Sequence, residues 1–308
     1  MSAVTIDQLA TGKGENDENF PVASWLLRPD ARAPVLAYYR FARAADDISD
    51  HETASAEDKL RLLGEMRAGL TGAGDHRAMA LAGICAERGI PLAHAGDLLD
   101  AFVQDVHVTR YADWAGLIAY CRLSAMPVGR FVLDVHGEDR ALWPLNDALC
   151  AALQVINHLQ DCGKDYRALG RVYIPLPLLD AAGVAVEELG GARASVALRG
   201  VIAGLAEQTL GLLDEAAPFA LAIRDARLSA EVAVIHALAL DLCRGLLVRD
   251  PLSERVHHSK ARAGWLALRA LVGHGLRRGR RRRWQGDRRR LGRRRRMGAQ
   301  SAALDAAR

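Results

Sequence analysis

Apolar residues recur at intervals of three and four along most of the chain, in long segments rich in Ala, Leu, Arg and Glu. Alternating β-branched runs and Asn-Gly hairpin turns are absent, so the pattern predicts an all-α protein. Pro29-Asp30 opens a helix that runs to about Ser49, with Pro34 tolerated in its first turn. Further helices are predicted near 55–70, 74–88 and 92–106, divided by Gly69, Gly72, Gly74 and Gly89-Ile90-Pro91. The next spans 113–137 and contains Pro127 and Gly129, which kink it, either for packing alone or to admit a bulky ligand beside Tyr120. Pro144 to Asp165 follows, then helices near 195–216, 228–247 and 259–275 whose apolar stripes read as core. His236 lies alone on such a stripe and reads as a hydrogen-bonded core histidine.

No composition shift or Pro/Ser-rich linker divides the chain before its end, which predicts a single helical domain over residues 16–275. Residues 1–15 read as a disordered start, and Glu18 to Leu27 as a short helix packed under the first acidic motif. Charge sets the end apart. Residues 276–308 carry 14 Arg and 2 Asp, leaving 27 basic against 35 acidic side chains in residues 1–275. Such an Arg-rich tail has no apolar period and is expected to be disordered, with anionic lipid or nucleic acid as its natural ligands. Only Trp284 interleaves the arginines, so nucleic acid is not the expected partner.

Five cysteines without a CxxC pair read as reduced thiols of a cytoplasmic protein. The opening Met1-Ser-Ala-Val-Thr-Ile-Asp lacks the form of a signal peptide. Asp147, Asp161, Arg199 and Glu207 interrupt the apolar stretches, so no bilayer span is predicted and any membrane contact is expected to be peripheral.

The candidate chemistry lies in two acidic rows. Asn157, Asp161 and Asp165 stand four apart and share one helix face. Carboxylate and amide oxygens in a row suit a hard divalent cation such as Mg²⁺, which keeps water and substrate phosphate among its ligands. One such row alone reads more readily as a solvated acidic face closing a helix. A second copy changes the weighting: Tyr39, Arg43, Asp46 and Asp50 lie along one stripe of the first long helix. Two acidic rows ending apolar helices need compensating charge if they face each other, and bridging cations supply it.

Arg43-xx-Asp46-Asp47-xx-Asp50 and Asn157-xxx-Asp161-xxx-Asp165, followed by Gly170-Arg171-Val172-Tyr173-Ile174-Pro175, resemble the squalene/phytoene synthase family over residues 16–270. Glu18 to Ser24 and Tyr120 to Gly129 are most similar to the bacterial branch that makes hydroxysqualene for hopanoids; Met126 departs from that pattern, which has Asn there. The resemblance implies an isoprenoid synthase fold around a central apolar cavity. It implies that Asp46, Asp50, Asn157, Asp161 and Asp165 hold a Mg²⁺ cluster on a substrate diphosphate. Arg43 and Arg171 would contact phosphate, Tyr39 and Gln154 would line the same end, and Tyr120 and Tyr173 would face the reacting centre. The implied reaction is ionisation of presqualene diphosphate and capture of the cation by water, with other enzymes of the pathway as partners. Head-to-head condensation of two farnesyl or geranylgeranyl diphosphates uses the same rows and stays open. So does a non-enzymatic helical protein that binds lipid or RNA through its tail. No GxGxxG turn follows a strand, so no nicotinamide cofactor is expected.

Overall fold

The computed structural model describes residues 4–9 and 27–280. The helix expected over 18–27 and the tail beyond 280 lie outside the described residues, apart from Leu27. Within them the protein is all-α. It comprises α1 (Ile6–Leu9), α2 (Pro29–Ser49), α3 (Ala56–Gly69), α4 (His76–Arg88), α5 (Ala93–His107), α6 (Trp114–Ser124), α7 (Met126–Val135), α8 (Trp143–Gln160), α9 (Cys162–Leu169), α10 (Leu176–Ala181), α11 (Val196–Ala216), α12 (Phe219–Ala222) and α13 (Ala226–Leu246). A last helix, α14, covers 260–280.

The central element is α8. Ala148, Leu149, Ala151, Ala152, Val155, Ile156 and Leu159 are all buried, which leaves it little polar surface. Helices α11 and α7 pack on it, α13 packs on α11, and α2 with α4 and α5 closes the far side. Side-chain oxygens of Ser55, Asp75, Asp113, Ser195 and Asp225 accept the otherwise orphaned N–H groups at the starts of their helices. Among the described residues there is no strand. A lone parallel bridge joins Arg110 to Val172, where the Val172 N–H donates to the Thr109 carbonyl (2.9 Å) and the Leu176 N–H to the Tyr111 carbonyl (3.1 Å). That bridge lays the segment after α9 against the segment after α5.

Local departures from the expected helices have identifiable causes. The segment 113–137 is two helices, broken at Ala125 (φ −125°, ψ −46°), and Pro127 enters the first turn of the second, where no N–H is needed. Pro144–Asp165 also divides, with Asp161 (φ −100°, ψ 7°) between α8 and α9. Its helical register survives. The Asp161 N–H donates to the Asn157 carbonyl (2.9 Å) and the Asp165 N–H to the Asp161 carbonyl (2.8 Å), which keeps the three side chains a turn apart. Pro34 lies inside α2 rather than in its first turn. Residues 6–9 form a helical turn with Ile6 and Leu9 buried, inside a stretch expected to be disordered. At the other end α14 runs through 276–280, the start of the expected tail.

Trp114–Val135 and Val196–Ala222 pass the length and hydropathy test for a bilayer span, contrary to the sequence expectation. Both pack in this bundle: Leu117, Cys121, Phe131 and Leu133 of the first and Leu198, Ile202, Leu205 and Leu213 of the second are almost wholly buried.

Gly129 sets the closest approach of α7 to α8. A Cβ there would sit 2.0 Å from Asn146 Oδ1 and 2.6 Å from Cys150 Sγ. Asn146 is held in place, its Nδ2 donating to the Met126 carbonyl (3.3 Å) and to Asp147 Oδ1 (3.1 Å). Gly129→Ala should therefore cost about 1–3 kcal/mol through overpacking, read as a lowered urea midpoint at unchanged m value.

Candidate active site

The last turns of α2 carry the first row. Arg43 spans two of its carboxylates, with Nη1 2.8 Å from Asp46 Oδ2 and Nη2 2.6 Å from the buried Asp47 Oδ1. Asp50 caps the helix, its N–H donating to the Asp46 carbonyl. The Asp50 carboxylate accepts from Arg171 Nη1.

Arg171 was expected at the phosphate, but its guanidinium is only 7% exposed and is engaged by protein. Besides Asp50 it donates through Nη2 to the carbonyls of Ser49 (3.1 Å) and Asp105 (3.2 Å). Those oxygens belong to the last turns of α2 and α5, where helices leave carbonyls without intrahelical partners and carry partial negative charge. Lys59 Nζ joins it on the Ser49 carbonyl at 3.0 Å. Arg171 thus fixes Asp50 and ties together α2, α5 and the segment after α9.

Asp165, in the second row, has its carboxyl pushed up to about 7, by burial first and then by Asp161, with Asp50 adding to the rise and Lys164 and Arg171 opposing it. Asp161 is more open, and Lys164 Nζ lies 3.8 Å from its carboxylate.

A cavity of about 460 Å³ opens beside both rows. Tyr39, Arg43, Asp46 and Asn157 line one end, and Leu98, Phe102, Phe131, Leu149, Phe219 and Ile235 are among its apolar walls. Ser124, Val128, Gly129 and Val132 also line it, so the break between α6 and α7 does open onto the hollow. Where Asn was expected at 126, Met126 is buried, and the polar group at this wall is Asn146. Gln154, half-buried on α8, is not among the lining residues.

Tyr120 and Tyr173 are not among them either. Both are buried in a cluster with Tyr111 and His158, none of which lines the cavity. The His158 and Tyr173 rings stack at 3.5 Å, and Tyr111 lies 5.6 Å from both Tyr120 and Tyr173. Tyr120 Oη donates to Asp105 Oδ2 at 2.8 Å. Burial raises Asp105 to about 7 against the opposing pull of Arg171 and Tyr120, and burial with the Arg171 charge lowers His158 to about 3, so its imidazole is neutral. Asp105 Oδ1, His158 Nε2 and Tyr111 Oη are buried without a hydrogen-bond partner in the protein. Three orphaned polar atoms in one cluster have the character of a site for bound water.

Sequence reasoning gave Asp47 no role although it lies within the first acidic motif, and it missed Asp105, Tyr111 and His158. Asp105 belongs to no motif, and the cluster forms only when the segment after α5 meets the one after α9. His158 did carry a signal, as a histidine on a helix whose buried positions are mostly apolar.

An all-oxygen donor set with a carboxyl raised partly by its acidic neighbours fits a hard cation such as Mg²⁺. Among the described residues no group of three or more His, Cys, Asp or Glu side chains closes into a ready cage.

These features define a helical protein with a charged mouth over an apolar hollow. Residues 14–262 match the squalene/phytoene synthase family, and the chain belongs to that family. It is 51% identical over 269 residues to a hydroxysqualene synthase of Zymomonas mobilis, covering 86% of this chain and 91% of that one. It is 54% identical over 252 residues to a hydroxysqualene synthase of Rhodopseudomonas palustris, covering 81% and 86%. Among solved structures it is similar to a squalene synthase of Alicyclobacillus acidocaldarius, with a TM-score of 0.66 at 29% identity over 78% of this chain and 91% of that one. A dehydrosqualene synthase shares the fold, with a TM-score of 0.67 at 23% identity over 86% and 94%.

The Asp105 shift carries a pH signature. Between about pH 4 and its folded pKa the native protein holds a proton that the unfolded chain has released, so this group makes stability fall as pH rises through that window. Asp105→Asn should flatten the fall, read from thermal midpoints measured across the window.

Proposed function

We propose that this protein ionises presqualene diphosphate and captures the cation with water, giving hydroxysqualene and diphosphate. The observation that carries the reading is the cavity: Tyr39, Arg43, Asp46 and Asn157 at one end, apolar walls along the rest. Relatives at 51% and 54% identity bear the name hydroxysqualene synthase, whereas the phytoene synthases of Mycobacterium tuberculosis and Thermus thermophilus are 32% and 30% identical. Condensation of two farnesyl diphosphates remains the second reading, on the strength of the squalene and dehydrosqualene synthases that share the fold.

Asp46, Asp50, Asn157, Asp161 and Asp165 would hold Mg²⁺, with Arg171 keeping Asp50 in place. When bound, Mg²⁺ neutralises the charge that builds on the departing diphosphate oxygens. Arg43 lies at the same end, where its guanidinium can donate to those oxygens while Asp46 and Asp47 hold its plane. The C–O bond to diphosphate breaks, and the cation rearranges between walls that exclude bulk water. Asp105 Oδ1, His158 Nε2 and Tyr111 Oη, which lie outside the cavity lining, would hold the single water, and it would have to enter the cavity to add. Its oxygen forms the new C–O bond, and the proton it loses passes to the Asp105 carboxylate or to His158 Nε2, both acceptors in their unprotonated forms. Tyr120 orients Asp105, and Tyr173 supports the His158 ring.

Purified protein with Mg²⁺ should convert presqualene diphosphate to hydroxysqualene and leave farnesyl diphosphate alone, with products identified by mass spectrometry. Turnover of farnesyl diphosphate only would replace this reading by the second one. Asp161→Asn should lower Mg²⁺-dependent turnover by roughly a hundredfold at unchanged circular dichroism. His158→Phe keeps a ring on Tyr173 but removes the nitrogen. Its diphosphate release should persist while the hydroxysqualene fraction falls; an unaltered product ratio would remove His158 from the water site.

A further inference from the structure

Helix α14 has two apolar faces. The inner one holds Ala263, Leu266, Ala267, Ala270 and Leu271 against Val234 and Leu238 of α13. Polar contacts fix it there. Near its start Arg262 pairs with Asp241, which His258 also contacts at 3.0 Å. Near its end His274 Nε2 lies 2.8 Å from Ser229 Oγ, and Arg278 Nη1 donates to the Ile223 carbonyl at 3.0 Å. With this face anchored, the opposite one is turned to solvent. It presents Trp265, Leu268, Val272 and Leu276, 51%, 63%, 57% and 65% exposed, at spacings of three, four and four that form one stripe. The sequence pattern placed this helix in the core, but hydrophobic content cannot tell one apolar face from two.

The surroundings of the stripe are cationic. The guanidiniums of Arg262 and Arg269 lie 5.8 and 5.3 Å from the centre of the Trp265 ring. A groove of about 1310 Å³ runs beside α14, and Arg244, Arg249, Arg262, Arg269 and Arg277 line it, with Asp241 as its acidic side chain. A tryptophan and aliphatic side chains between arginines match the boundary of a lipid bilayer, where the apolar stripe enters the acyl region and the guanidiniums meet anionic headgroups.

We propose that α14 docks this protein on anionic membranes, lying in the plane of the interface with Trp265, Leu268, Val272 and Leu276 inserted and the arginine-lined groove on the headgroups. The surplus of arginine over acid selects a negatively charged lipid surface rather than a neutral one. The inference rests on α14 alone and does not depend on the reaction proposed above.

The test uses the full chain, so that residues 281–308 with their arginines are present in every sample. Co-sedimentation is measured with vesicles of phosphatidylcholine alone and of phosphatidylcholine with phosphatidylglycerol, beside Leu268→Glu/Val272→Glu, which alters only exposed positions. The parent should bind the anionic vesicles, release from them as salt rises, and show a blue-shifted tryptophan emission absent in Trp265→Phe. The double variant should bind roughly tenfold more weakly or worse, with unchanged circular dichroism and unchanged turnover of detergent-dispersed substrate. Equal binding of parent and double variant would assign the lipid contact elsewhere and overturn the proposal. So would equal binding to both vesicle types, or light scattering that shows a dimer of the parent which the double variant breaks.

Discussion

One buried guanidinium holds the site together. Arg171 joins the carboxylate of Asp50 to the carbonyls of Ser49 and Asp105, and so draws the C-terminal ends of two helices onto the segment that follows a third. Desolvating a guanidinium costs several kcal/mol, and a carboxylate with two helix-end carbonyls offsets that cost where water would have. The geometry has a consequence for charge. Burial first and then the Asp161 charge raise the Asp165 carboxyl toward neutrality, with Asp50 adding to the rise. Asp46 and Asn157, one from each row, line an apolar hollow, an arrangement that a divalent cation and a diphosphate would complete.

Much of this could be read from the chain. The period of the apolar positions gave the helices within a few residues, because long amphipathic segments dominate and strand signals are absent. Both acidic rows were visible as spacings of four, and Tyr39, Arg43, Asp46 and Asn157 do share one cavity end. What escaped were properties set by contacts distant in sequence. Arg171 looked like a phosphate ligand because its motif lies near the acidic row, yet 121 residues separate it from the Asp50 it holds. Asp105 sits in no motif, and its partners Tyr111, Tyr120, Tyr173 and His158 are gathered by the bridge between the segments after α5 and α9. The two faces of α14 escaped for another reason, since periodicity reports that a face is apolar and not what covers it.

The cavity and the outer helix suit one kind of substrate. A hydrocarbon chain bearing a diphosphate partitions into membranes, and its product, stripped of the diphosphate, does so more strongly. An enzyme that lies on the lipid surface meets such a molecule at the concentration found in the bilayer. The aromatic cluster outside the cavity lining would add the second requirement of the proposed chemistry, a small polar site able to hold a water.

The proposed function requires that the two acidic rows receive a diphosphate only together with a divalent cation. Isothermal titration of inorganic diphosphate into the full chain, with Mg²⁺ and then with the metal chelated, tests it without requiring turnover. The account predicts saturable binding in Mg²⁺ that disappears on chelation and in Asp161→Asn. Equal binding with and without the metal, or none in either condition, would contradict it.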